Sequence, residues 1–376
     1  MRDDIRRLFP VTERLVYLNN AAVAPIAIPA YQAMERYIAD IRDHGLARWR
    51  EWVELTRQAR QTVARFINAD EDEVAFVPNT STGISFIANG LEWSAGDNIV
   101  TSDCEFPSNQ YPWQRISREH GVELRAARER EGRVEIGELL SLIDDRTRVL
   151  AISYVEYASG FRNDVKTLGE ICNEKGILLS VDGIQALGAL KVDVKSSGIS
   201  CLSADGHKFL LGPEGLGILF VSRSWIERIR PTVLGWTSVA NPFDFTEREK
   251  SFAKGARRFE PGALNIAGIA ALKATLELME EIGQDSIECY LHELTDYLVQ
   301  ALNGLGMRVI SSRRQNEWSA IVSCESETVS AEKLYQALDE QGIITTARLG
   351  RLRISPHFYN NRADIDQLVA ALGRLL

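Results

Sequence analysis

The residues with the most chemistry to offer are an aspartate that ends an apolar run and a lysine twenty-six positions further on. Asp182 closes the segment ILLSVD and is followed at once by Gly183. In an open α/β sheet, that end of a strand faces the ligand crevice. A carboxylate there can hold the protonated nitrogen of a heterocycle and make the ring an electron sink. It can equally cap the helix that follows. Lys208, in SADGHKFLLGPEGLGILFV, stands between an apolar strand and a turn rich in glycine and proline. Burial lowers an amine's pKa and frees the lone pair that attacks an aldehyde. Taken alone, the His-Lys pair also reads as a surface turn. A third feature is NTSTG, residues 79–83, ahead of a helix expected to begin near Gly83. The amides and hydroxyls of Ser81 and Thr82 would sit at a helix N-terminus, suited to a phosphate dianion or to simple capping.

Such groups act together only if a scaffold brings them to one edge. From Val74 to Val221, short apolar runs (VAFVPN, NIVTSD, VELRAA, RVLAISY, ILLSVDG, CLSADG, GILFVS) alternate with amphipathic stretches such as DVKTLGEICNEKG. This is the rhythm of a mainly parallel sheet covered by helices, and the strands are apolar because both faces are buried. Residues 28–68 read as two helices broken near His44 and Gly45. After Pro231 come two turn-rich passages, then a helical region from Ala263 to about Gly304. A smaller α+β unit follows, with strands at MRVIS, SAIVSCE, IITTAR and RLRISP and helices at AEKLYQALDEQG and NRADIDQLVAALGRLL. In the last helix Ile365, Leu368, Val369 and Leu372 form a stripe that packs on the small sheet. The expected division is a large domain over 20–240 and a small one made of 1–19 and 241–376.

Composition narrows the class. With 376 residues, 45% of them hydrophobic, the chain can fill a large core. No run approaches the length of a membrane span, and the start lacks the apolar segment of a secretory signal, so a soluble cytoplasmic protein is expected. The net charge of −9 argues against a nucleic-acid groove. Five scattered cysteines, with no CxxC pair and no nearby histidine at ligand spacing, suggest neither a disulfide framework nor a metal site.

Seven blocks in order, YLNNAAVAP, VPNTSTGIS, CEFPSN, VDGIQALGA, DGHKFLLGPEGLGILFV, RFEPGALN and LRISPHFYN, carry a resemblance that runs nearly end to end. The chain resembles the class V aminotransferase family of fold-type I pyridoxal 5'-phosphate enzymes, which includes cysteine desulfurases, selenocysteine lyases, kynureninase and isopenicillin N epimerase. The resemblance implies that Lys208 is the Schiff-base lysine and Asp182 the partner of the pyridine nitrogen. It implies that Gln185 donates to the phenolic oxygen, that Phe106 stacks on the ring with Ile184 opposite, and that Ser81, Thr82 and His207 serve the phosphate. Arg353 would clamp the substrate carboxylate, with Asn20 and Tyr157 also at the substrate. A planar, permanently charged guanidinium suits that task. The family also implies a homodimer with its active sites at the interface.

The departures from the family pattern bear on the reaction. Desulfurases carry a persulfide-forming cysteine on a loop shortly before the clamping arginine, whereas the stretch TTARLGRLR is short and has none. Cys324, upstream, reads as a buried strand residue. Phe106 stands where desulfurases have histidine, Tyr157 where many have asparagine, Asp205 where a serine often binds phosphate, and Ala263 where a threonine often reaches from the partner subunit. Arg257 and Arg258 are candidates to offset Asp205. The leading expectation is a carbon–sulfur β-lyase acting on cysteine, cystine or a cysteine S-conjugate, which needs no protein thiol. The alternatives are a cysteine desulfurase or selenocysteine lyase, an aminotransferase or epimerase, and a non-catalytic protein that kept the fold.

Overall fold

The computed structural model of the chain describes residues 3–246 and 250–376. The seven apolar runs form one sheet: β1 (Val74–Val77), β2 (Asn98–Ser102), β3 (Glu123–Ala127), β4 (Thr147–Ser153), β5 (Leu178–Asp182), β6 (Cys201–Asp205) and β7 (Gly217–Val221). Their order across the sheet is β1-β7-β6-β5-β4-β2-β3. Only β7 runs antiparallel to its neighbours, so the carboxyl ends of the other six strands share one edge. Except for β3, these strands are buried along almost their whole length, as covering on both faces demands.

After a single helical turn at Asp3–Arg6, the long helices α1 (Ile28–His44) and α2 (Trp49–Phe66) are separated by a short 3-10 turn at Gly45–Arg48. On the sheet lie α3 (Thr80–Gly90), α4 (Tyr111–His120) and α5 (Val165–Lys175). The long helical region is two helices, α6 (Ile266–Ile282) and α7 (Gln284–Gly304), interrupted at Gly283 with φ of +91°. The smaller unit holds an antiparallel sheet of β8 (Arg308–Val309), β9 (Val322–Glu325), β10 (Thr346–Arg348) and β11 (Arg351–Ile354), in the order β8-β9-β11-β10. Helices α8 (Ala331–Asp339) and α9 (Arg362–Leu375) cover it. Ile365, Leu368 and Leu372 of α9 are fully buried there, and Val369 packs alongside.

The two cores divide later than residue 240. Ile269, Leu272, Leu276 and Met279 of α6, with Ile287 and Leu291 of α7, belong to the core of the large unit. The small core begins with Leu294, Leu298 and Leu302, the same helix's next turns. Helix α7 therefore spans the boundary. At the other end, Ile5 and Phe9 join the large core while Val16 and Leu18 join the small one, where Val16–Tyr17 pairs in parallel with Ile343–Ile344. Among the described residues, no helix is long and apolar enough to cross a membrane.

Candidate active site

Five parallel strands deliver a side chain each to the shared edge: Ser81 after β1, Phe106 after β2, Tyr157 after β4, Asp182 at the end of β5 and Lys208 after β6. The register sets Ser153, Asp182 and Ser203 abreast, so these ends are level. This is the crevice that open α/β sheets use for ligands.

Asp182 is 2% exposed, and its Oδ1 accepts from the amide of Ile184 at 3.0 Å. Burial pushes its carboxyl up to about 6, against the opposing pull of that amide and of the Lys208 charge. Lys208 is 8% exposed, and burial draws its amine down to about 8. Asp182 resists this lowering, while Arg353 and Arg348 add to it. The Lys208 ammonium lies 5.4 Å from the centre of the Phe106 ring, which is 38% exposed and meets Tyr157 edge-on at 5.1 Å. An aromatic face, a poised amine and a buried carboxylate thus border one space.

The loop that carries Lys208 is held by close backbone packing. His357, fully buried, brings Nε2 within 2.8 Å of the Phe209 carbonyl. Gly188 adopts φ of +92°, and a Cβ there would lie 2.0 Å from the same carbonyl oxygen. Only glycine fits both the left-handed backbone and the contact.

Gln185 is buried, donates from Nε2 to the Ala21 carbonyl at 3.1 Å and leaves Oε1 buried without a partner. Donation to a phenolic oxygen would therefore fall to its second N–H. Ile184, half-buried, adjoins Asp182. His207 Nδ1 lies 2.9 Å from Asp205 Oδ1, yet neither atom has an aligned hydrogen bond and both are buried.

The phosphate turn differs from expectation. Helix α3 begins at Thr80, three residues before Gly83, because Asn79 caps it. The Asn79 side chain accepts from both the amide and the hydroxyl of Thr82, so both Thr82 donors are spent inside the cap. Thr80 is buried and accepts from the Asp205 amide. Ser81 is left at the mouth, its hydroxyl donating to Ser108 at 2.8 Å. Arg258 cannot offset Asp205, because it is buried in a bidentate pair with Glu227 and donates to two carbonyls. Arg257 is exposed.

Arg353, on β11, is 2% exposed and donates to the Tyr157 carbonyl at 2.9 Å. Its Nε is buried without a partner, and among the described residues no carboxylate pairs with it. Burial, with Arg348 adding, lowers its pKa to about 9. Tyr157 is half-buried, and burial raises its phenol. Asn20 is fully buried and its amide is already engaged, donating to the Ser355 carbonyl and accepting from Tyr359. It braces residues 19–21 against the small unit.

Two carboxyls emerge that the sequence reading passed over. Glu105, in CEFPSN, accepts from the Ser153 amide and hydroxyl and from Asn109, fixing the turn that carries Phe106 onto the end of β4. Glu156 accepts from Asn163 and keeps Oε2 buried without a partner. Burial first, and the charge of the other second, raises Glu156; burial also raises Glu105. Glutamates bracketed by apolar residues at strand ends were the available signal. A cavity of about 620 Å³ between α1, α2 and α6 includes none of these residues.

A seven-stranded sheet with one antiparallel strand, a lysine–aspartate pair at its carboxyl edge and a small domain contributing an arginine define a fold-type I enzyme architecture. The chain matches the class-V aminotransferase family over residues 16–368 and belongs to that family. It is similar to a probable cysteine desulfurase of Methanothermobacter thermautotrophicus, 31% identical over 99% of this chain and 98% of that one. The apo structure of a cysteine desulfurase from Thermococcus onnurineus NA1 superposes with a TM-score of 0.93 at 26% identity, covering 100% of this chain and 98% of that one. A complex of a cystine C-S lyase with its product cysteine persulfide shares the fold, with a TM-score of 0.90 at 23% identity over 97% of this chain and 99% of that one.

Proposed function

We propose that this protein is a pyridoxal 5'-phosphate-dependent carbon–sulfur β-lyase acting on cysteine, cystine or a cysteine S-conjugate. The observation that carries the reading is Lys208, a buried amine that feels the Asp182 charge and lies 5.4 Å from the centre of the Phe106 ring. The residues present fit the cofactor. Lys208 would hold its aldehyde carbon, Asp182 its pyridine nitrogen, Phe106 one ring face, and Gln185, Ser81 and His207 its oxygens. The buried, unpartnered His207 Nδ1 supports this, since buried polar atoms without partners are costly unless a ligand meets them. When bound, the cofactor supplies an electron sink for a carbanion at the substrate α-carbon.

The chain's own residues do the rest. Arg353 binds the α-carboxylate and so fixes which bond at the α-carbon is aligned for cleavage. Lys208 Nζ takes the α-proton, a task suited to an amine near neutrality. Asp182 keeps its partner nitrogen protonated. The β-carbon–sulfur bond then breaks, sulfur departs with the bonding pair as a thiol or persulfide, and water converts the remaining enamine to pyruvate and ammonia.

The names of several relatives favour the desulfurase alternative, which needs a thiolate to take the sulfur. No cysteine follows Cys324 in the sequence. Cys324 is fully buried with its thiol pushed up to about 12, and burial also raises Cys104. Thiols held protonated are poor acceptors. We also propose a homodimer, supported by exposed Tyr31, Ile38 and Leu46 near α1 and by exposed Phe243 and Phe245. Incubation with cysteine, cystine and cysteine thioethers tests the reaction: pyruvate is expected, and alanine with sulfide would move the assignment to a desulfurase.

A further inference from the structure

Strands β10 and β11 form a tight hairpin in which Thr346 opposes Arg353, Ala347 opposes Leu352 and Arg348 opposes Arg351. Directly opposed residues project from the same face of a sheet. Ala347 and Leu352 turn into the small core, so Arg348, Arg351 and Arg353 share the other face. That face looks onto the large unit, for Arg353 reaches the Tyr157 carbonyl and Arg351 reaches Glu129.

The three guanidiniums are treated differently. Arg351 is neutralised by Glu129 and Glu325, at 3.1 and 3.3 Å. Arg353 is buried and uncompensated. Arg348 is exposed, donates only to the carbonyl of Ala347, and among the described residues has no carboxylate partner. Its charge is nonetheless felt at Arg353, Tyr157 and Lys208, the groups that border the cleft. Arg351, on the same face, has two carboxylate partners. Leaving the neighbouring Arg348 unpaired beside a buried cationic clamp keeps an anion site open at an electrostatic cost. Arg348 and Arg353 are diagonal neighbours, which places their attachment points about 7–8 Å apart.

We infer that Arg348 is a specificity residue that binds a second anionic group at the far end of the substrate's side chain. The inference rests on the reading of Arg353 as the α-carboxylate clamp. Among the sulfur-substituted amino acids proposed above, it selects those whose leaving sulfur carries a carboxylate, as the far half of cystine does, over cysteine itself and over neutral thioethers. The hairpin thus puts a recognition charge close to where desulfurases put a cysteine.

The test is a calorimetric titration of the cofactor-loaded protein with L-2-aminoadipate and with L-norleucine. These have the same chain length, differ in the distal carboxylate, and carry no β leaving group, so the result does not depend on whether elimination occurs. Wild type is expected to prefer aminoadipate at least tenfold. In Arg348→Met the preference should fall to near unity, and Arg348→Lys should keep part of it, since the charge remains while the planar fork is lost. Equal affinities in wild type, or a preference undiminished in Arg348→Met, would overturn the inference. The pyruvate assay judges the lyase reading separately.

Discussion

The cleft has two unlike walls. The large-domain wall is built of buried groups held by the backbone: Asp182 by the Ile184 amide, the Lys208 loop by His357 and Gly188, and the Phe106 turn by Glu105. The small-domain wall is a two-residue hairpin whose arginines range from fully paired to unpaired within six positions. On the first wall, burial tunes ionisation for chemistry. On the second, counter-ions are withheld, and on the proposed reading the substrate's own charges take their place. On both walls, burial works against the charged forms of its titratable groups.

Four substitutions would break or sharpen that contrast. Lys208→Ala should lower turnover by about 10⁴-fold or more and abolish the adduct trapped by borohydride, because base and anchor are lost together; mass spectrometry of the reduced protein checks the anchor, and an adduct elsewhere would remove the basis of the mechanism. Arg353→Met should cost about 2–4 kcal/mol in kcat/KM, yet raise the melting temperature of the ligand-free protein by relieving an uncompensated buried charge. A loss of stability instead would mean that Arg353 serves mainly as packing.

Asp182→Asn tests the buried wall through pH. The carboxyl titrates near 6 in the folded, cofactor-free chain and near 3.8 when unfolded. Between these values the folded state binds more protons, so wild-type stability falls as pH rises from about 4 to 6 and is level above. The difference amounts to about 3 kcal/mol at most. The asparagine variant should lack this fall, and denaturant melts of the cofactor-free proteins at pH 4 and pH 7 measure it; parallel curves would place the ionisation elsewhere. The smallest effect expected is at Leu349, an exposed non-glycine residue with φ of +50°. Leu349→Asn should stabilise by about 1 kcal/mol, read as a modest rise in melting temperature with little change in pyruvate formation.

Much of the first wall was legible in the sequence. Apolar runs ending in VDG and SADGHK announce strands that deliver Asp182 and Lys208, and both-face burial makes such strands easy to read. What the sequence withheld was which polar groups are already taken. Thr82 is the right residue type for a phosphate turn, but Asn79 consumes it. Arg258 is taken by Glu227, and Asn20 by Ser355 and Tyr359. The partners of Arg258 and of Asn20 lie tens to hundreds of positions away in the chain. The same distance hid the contrast between Arg348 and Arg351, which look alike in TTARLGRLR. The two buried cores meet within α7, one continuous helix whose successive turns face different cores, which no short stretch of sequence reveals.

The turn at Leu349 and Gly350, both with positive φ, joins its strands by the shortest common hairpin connection. Such a connection has no slack with which to swing a side chain out of the cleft and present it to another macromolecule. On the lyase reading proposed above, the sulfur product would leave the cleft as a free small molecule, with no mobile side chain on this hairpin to carry it.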